Sequence, residues 1–133
     1  MMVKPDAVRR NLVGEVLRQV EAAGLRIARL KMVQLRPEDA REFYLVHAER
    51  PFYESLCASM SSGPIVALVV EGENAQTRLR EVVGATDPAK ATEGTIRKAV
   101  GLNVEQNSVH ASDALETAQH EIAFFNLDLA PRK

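Results

Sequence analysis

Apolar residues recur along this chain at two different spacings, and the change from one to the other divides the sequence into elements. Leu12, Val13, Val16, Leu17 and Val20 fall at helical intervals, with Gly24 where such a helix would stop. Residues 27–35 alternate in part, Leu30 and Met32 against Arg29, Lys31 and Gln34, which predicts a strand. Pro37 opens a second helix with Glu38 and Asp39 in its first turn, where negative charge suits the dipole. Ala40, Phe43, Tyr44 and His47 line one face of it. A shorter helical piece starts at Pro51, carries Phe52, Leu56 and Met60, and ends at Ser62-Gly63-Pro64. The unbroken apolar run 65–70 has the length and β-branching of a strand buried on both faces. Asn74 is placed to N-cap a helix that runs through Val82 to a stop at Gly84.

From Ala85 to Val109 the periodicity is lost, which predicts a long irregular connection of the kind that usually carries function. Beyond it, Asp113 with Glu116 predicts a capping box for a last helix bearing Leu115, Ala118, Ile122 and Phe125. A few strands interleaved with helices indicate an α/β sandwich, with helices packed on one small sheet.

The 133 residues suit one core, so a single domain over 1–133 is expected, with a C-terminal tail from 126 that is unpaired and mobile. A hydrophobic content of 46% excludes a disordered chain. The net charge of -1 lacks the basic excess of a duplex-coating protein, so no nucleic acid is required as a partner. Cys57, the one cysteine, can make neither an internal disulfide nor a thiolate zinc site, as fits a reducing compartment. No apolar run approaches the roughly 20 residues of a membrane span. Met1-Met2-Val3-Lys4-Pro5 shows no apolar signal segment, so a cytoplasmic protein without a membrane partner is expected.

Three histidines are present. His47 shares a helical face with Phe43 and Tyr44 and reads as a packing residue, and His120, between Gln119 and Glu121, reads as solvated. His110 differs, lying between the long connection and a helix start, a junction that presents side chains rather than packing them. Glu121, further along that helix, is placed to face back towards it. A carboxylate that binds one imidazole nitrogen fixes the tautomer and leaves the other nitrogen as a nucleophile. Lys4, Arg80, Thr86, Arg97 and Asn107 add donors suited to phosphate and ribose oxygens. Neither a Walker-type run nor Gly-x-Gly-x-x-Gly occurs, so phosphate binding would rest on side chains.

Six blocks sharpen this picture: Lys4-Pro5-Asp6-Ala7-Val8, Arg50-Pro51-Phe52, Ser62-Gly63-Pro64, Gly84-Ala85-Thr86-Asp87-Pro88, Gly94-Thr95-Ile96-Arg97 and Asn107-Ser108-Val109-His110-Ala111-Ser112-Asp113. Together, from about Val3 to Phe125, they resemble the nucleoside diphosphate kinase family, the last block being close to its Asn-x-x-His-Gly-Ser-Asp signature. The resemblance implies a ferredoxin-like α/β (α+β) sandwich with a four-stranded antiparallel sheet. It implies ping-pong transfer of a γ-phosphate from a nucleoside triphosphate to a nucleoside diphosphate through a phosphohistidine, with broad base specificity. Carried over by position, His110 would attack through Nδ1, Glu121 would orient its ring, and Tyr44 and Ser112 would stand beside it. Arg80, Thr86 and Arg97 would hold phosphates, and Lys4 and Asn107 ribose hydroxyls and phosphate. Phe52 would stack on the base with Val104 opposite, and Asp113 would lie near Mg²⁺, acting through water. A homohexamer or homotetramer is implied as well. The alternative is a catalytically weak regulatory or nucleic-acid-binding module on the same fold; an RNA-recognition-type sheet lacks its strand of exposed aromatics.

Three departures stand out. Ala111 replaces the family's usual glycine, at a cost of ~1 kcal/mol if that backbone needs a positive φ. Glu93 stands where a proline is common, an exchange expected to loosen the loop by roughly 0.4–1 kcal/mol. The strand before Lys4 is short at its beginning.

Overall fold

A computed structural model of the chain describes residues 1–127. Four strands, β1 (Met2–Val3), β2 (Arg26–Val33), β3 (Ile65–Glu71) and β4 (Val109–His110), form one sheet in the order β2-β3-β1-β4. Every neighbouring pair is antiparallel. Helices α1 (Pro5–Arg9), α2 (Val13–Ala22), α3 (Pro37–Phe43), α4 (Tyr53–Met60), α5 (Ala75–Val83), α6 (Ile96–Val100) and α7 (Leu115–Phe124) surround it. This is the ferredoxin-like sandwich expected from the resemblance.

The alternation inside β3 builds two cores. Val66 and Leu68 point to one face, packing with Val16 and Val20 of α2, Leu79 and Val83 of α5, and Ile96 of α6. Ile65 and Ala67 point to the other, with Ala40, Tyr44, Cys57 and Met60. Each Val, Leu or Ile buried this way contributes about 1.5–3 kcal/mol, so a strand apolar from Ile65 to Val70 holds helices on both sides. β1 is short but central: Met2 pairs with Ala67 on one side and His110 on the other. This places His110 beside a strand whose two residues are both buried.

Local chemistry explains several boundaries. Just past the end of α2 and its C-cap Ala23 lies Gly24, whose φ of +83° is open to glycine. Residues 37–43 are helical as the pattern predicts, with Asp39 accepting from the Arg36 N–H at 3.0 Å.

Elsewhere the sequence expectations need correction. Leu30 and Met32 are 49% and 58% exposed because β2 is an edge strand, so their alternation does not mark a covered face. The connection 85–109 is not wholly irregular: it contains α6, whose N-cap Thr95 accepts from the Lys98 N–H at 3.3 Å. Asn74 precedes α5 in the left-handed region (φ +52°) and its side chain makes no cap bond. The Asp113–Glu116 capping box does not form. α7 starts at Leu115, and the Thr117 hydroxyl accepts from the Ala114 N–H at 3.0 Å. Nor is residue 127 part of a loose tail, because Leu127 is buried in the second core; positions 128–133 of the expected tail lie outside the described residues.

Candidate active site

His110 closes β4, and its ring meets the edges of Phe43 and Tyr44 at centroid distances of 5.6 and 6.1 Å. Glu121, on α7, reaches it from behind: His110 Nε2 and Glu121 Oε1 are 2.5 Å apart, and Ser112 Oγ donates to the same oxygen at 3.1 Å. An ionised carboxylate only accepts, so the contact fixes the ring proton on Nε2 and leaves the Nδ1 lone pair free. Burial lowers the imidazole pKa, the bond and charge of Glu121 oppose it, and the net shift is downward. Burial pushes Glu121 up, but its bonds from His110 and Ser112 and the His110 charge prevail and hold it below its ordinary value. The ring is therefore neutral at physiological pH, and Tyr44 is too deeply buried to ionise.

Guanidinium groups grip the chain on either side of this ring. Arg97 Nη2 donates to the Val109 carbonyl at 2.8 Å and Nη1 to Gly84 at 3.1 Å. Arg80 Nη1 donates to Ala111 at 3.3 Å and pairs with Asp113 at 3.1 Å. Arg97 is nearly fully buried, and desolvation with the nearby Arg80 charge lowers its pKa to about 10. Its buried Nε has no hydrogen-bond partner, so a donor of this cationic wall is unspent. Lys4 Nζ donates to the Glu105 carbonyl at 2.6 Å and Asn107 Oδ1 at 3.1 Å, and burial lowers its pKa to about 8. Asn107 Nδ2 donates to the carbonyls of Thr86 at 3.0 Å and Val104 at 2.9 Å. One amide thus ties together the segments of three predicted site residues.

The outer part is open. Phe52 and Val104 are 46% and 56% exposed. Ser55, in the first turn of α4, donates to the Glu105 carboxylate at 2.7 Å, which brings the segments of Phe52 and Val104 together. The His47 ring packs between Tyr44 (6.4 Å) and Phe52 (5.6 Å), the packing role its helical spacing predicts, while His120 is exposed. Thr86 is exposed beside Arg80 in a groove they share with Gly84 and Thr95. No group of three His, Cys, Asp or Glu side chains able to hold a metal occurs among the described residues. The lone Asp113 carboxylate, mostly exposed, fits an ion that keeps its waters and is held chiefly by substrate phosphates.

The family model described as nucleoside diphosphate kinase matches residues 1–128. A nucleoside diphosphate kinase of Persephonella marina is 56% identical over 125 residues, 94% of this chain and 89% of the relative. The chain superposes on a crystal structure of the Aquifex aeolicus nucleoside diphosphate kinase with a TM-score of 0.90 at 46% identity, covering 93% of this chain and 90% of that one. A halophilic nucleoside diphosphate kinase from Halobacterium salinarum, solved in complex with CDP, gives 0.91 at 36% identity, with coverages of 99% and 90%. The chain belongs to the nucleoside diphosphate kinase family.

Within this kinase the structure gathers Lys4, Tyr44, Arg80, Arg97, Asn107, His110, Ser112, Asp113 and Glu121 into one centre, with Phe52, Thr86 and Val104 at its rim. Ala111 is not strained: its φ is not positive, and its side chain is buried in the first core. Within this segment the left-handed residue is Ser108, at φ +76° and fully buried. Sequence reasoning gave no role to Ser108, to its partners Asp6 and Arg10, or to Phe43, whose ring edge lies on His110. The spacing of Asp6 and Arg10, one helical turn apart after Lys4-Pro5, was the available signal.

Proposed function

We propose that this kinase transfers the γ-phosphoryl group of a nucleoside triphosphate, typically ATP, to a nucleoside diphosphate through a phosphohistidine at His110. The free Nδ1 opposite a carboxylate-bound Nε2 carries this reading. In the first half-reaction the Nδ1 lone pair forms a bond to the γ-phosphorus. The bond from that phosphorus to the β–γ bridging oxygen breaks, and the diphosphate leaves with the electron pair. The Nε2 proton stays where it is, and Glu121 offsets the positive charge that develops on the ring. The second half reverses these steps with an acceptor diphosphate, whose terminal phosphate oxygen attacks the phosphohistidine.

The remaining site residues take positioning and charge-neutralising roles, which are most of what phosphoryl transfer asks of a protein. Arg80, Thr86 and Arg97 hold phosphate oxygens. Lys4 uses two of its three donors on the chain and keeps one for the nucleotide. Asn107 has a second lone pair on Oδ1 to accept from a ribose hydroxyl. Tyr44 shields the ring with its edge, and Ser112 fixes Glu121. Phe52 stacks on the base with Val104 opposite; every base offers a π-face, which supports broad base specificity. Asp113 is the residue that would hold Mg²⁺ through water, and the ion would supply neutralisation of phosphate charge. The chain works in the cytoplasm as a homohexamer or homotetramer and needs no nucleic acid. Among the described residues no helix is long and apolar enough to cross a membrane. The intact His110–Glu121 pair favours catalysis over a purely regulatory module.

Incubation with γ-labelled ATP and Mg²⁺, without acceptor, tests the proposal. Acid-labile, alkali-stable label on His110 is expected, chased off by GDP or CDP and absent from His110→Ala. Label that survives acid, or persists in His110→Ala, overturns it.

A further inference from the structure

Two residues before the nucleophile, Ser108 is held from outside its own segment. The Ser108 hydroxyl, with one proton to donate, lies 3.2 Å from both Asp6 Oδ2 and the Val100 carbonyl oxygen, and it accepts from Arg10 Nη2 at 3.0 Å. Arg10 Nη2 also binds Asp6 Oδ2 at 3.1 Å and the Val100 carbonyl at 2.8 Å. The Ser108 carbonyl accepts from the Lys4 backbone N–H at 2.9 Å. Asp6 and Ser108 are 4% and 0% exposed. Three parts of the site meet at this cluster: α1 with Lys4 before it, the end of α6 that carries Arg97, and the segment that carries Asn107 and His110. A left-handed backbone at a non-glycine residue persists only where its surroundings over-determine it, and here a buried hydroxyl with three partners does so.

We infer that Asp6, Arg10 and Ser108 are positioning residues for phosphoryl transfer, setting His110 Nδ1 relative to Arg97 and Lys4 without touching the nucleotide. The inference rests on the phosphohistidine reading. It follows from where the bonds converge: on the residues just before the nucleophile and on the last carbonyl of the helix holding a phosphate-binding guanidinium. A reacting atom displaced by about 1 Å can lose on the order of 100-fold in rate, even when the change lies away from the chemistry.

Ser108→Gly separates this role from folding, because glycine takes a φ of +76° freely and only the small hydroxymethyl group is lost. In single-turnover labelling with saturating γ-labelled ATP and Mg²⁺, Ser108→Gly and Arg10→Met should each form phosphohistidine about 10- to 100-fold more slowly. The nucleotide Kd should stay within about twofold, because uniform binding is untouched. The double variant should lose little more than the worse single variant, since the residues act as one unit. Labelling of Ser108→Gly at the wild-type rate overturns the inference, and so does a loss of rate and affinity by the same factor. If Arg10→Met fails to fold by circular dichroism, Ser108→Gly decides alone. Wild-type protein that takes no label on His110 overturns the phosphohistidine reading, and this inference with it; normal wild-type labelling with an unaffected Ser108→Gly overturns the inference only.

Discussion

At His110, burial and the Glu121 carboxylate pull the proton affinity of one ring in opposite directions, and burial prevails. Because the folded pKa lies below the ordinary 6.5, the neutral, nucleophilic form persists as pH falls through that value. Phosphohistidine formation should therefore fall to half its neutral-pH rate only below pH about 6.5; a half-maximal rate at or above 6.5 in single-turnover measurements contradicts this. In Glu121→Gln the opposing pull is gone, so the acid decline moves lower still. The rate at neutral pH should nevertheless fall by about 10- to 100-fold, the worth of a charge-assisted hydrogen bond of roughly 1.5–3 kcal/mol, with nucleotide affinity barely changed. Equal losses in rate and affinity would assign Glu121 a binding role instead. Lys4 behaves differently: its ammonium has a pKa of about 8, so nucleotide affinity should weaken as pH rises through about 8. That bend should vanish in Lys4→Met, measured by titration calorimetry. These residues were legible in the sequence because type and block order single them out. Ser108 was not, since a serine's backbone angle leaves no trace in its letter.

Elements with strong periodicity could be read directly, as α2 and β3 were, because burial on one or both faces dictates residue type along their whole length. α6 escaped: five residues give no period, and its start depends on one cap, Thr95. α7 was found but its start misplaced, because Asp113 is a good cap by type yet pairs with Arg80. The junction of α5 and α6 carries a testable constraint. Gly84 has a φ of +91°, and a Cβ there would lie 2.6 Å from Thr95 Oγ1, the atom that caps α6. Gly84→Ala therefore meets backbone strain of about 1–2 kcal/mol and crowding of about 1–3 kcal/mol. The carbonyl of Gly84 also anchors Arg97. A fall in Tm on the order of 10 °C is expected by calorimetry, together with weaker nucleotide binding. A Tm within about 2 °C of wild type would mean that the loop yields freely and does not set Arg97.

On the scale of the whole molecule, two cores on opposite faces of a four-stranded sheet leave β2 as an edge, and this feature was invisible in its alternating pattern. Strand order depends on long-range pairing, so residues 27–35 read alike at a centre or an edge. β2 is long for an edge, stands at the end of the strand order with β3 as its one neighbour in the sheet among the described residues, and keeps Leu30 and Met32 half-exposed. Edges of this kind are templates for pairing with another chain unless charge, proline or a covering element blunts them. Arg29 and Lys31 alternate with the apolar pair, but no proline interrupts the strand. We expect two copies to meet along β2 as the first step of the homohexamer or homotetramer. Sedimentation equilibrium should then give a mass several times the 14.7 kDa chain. The double variant Leu30→Lys, Met32→Lys should shift the mass towards that of one chain, because like charges brought together across an apolar contact oppose association. Since both side chains are already half-exposed in the single chain, folding of the monomer should change little, and circular dichroism would register any loss. Wild-type protein that sediments at one chain mass rules out the assembly. An unchanged oligomer in the double variant moves the interface to another face.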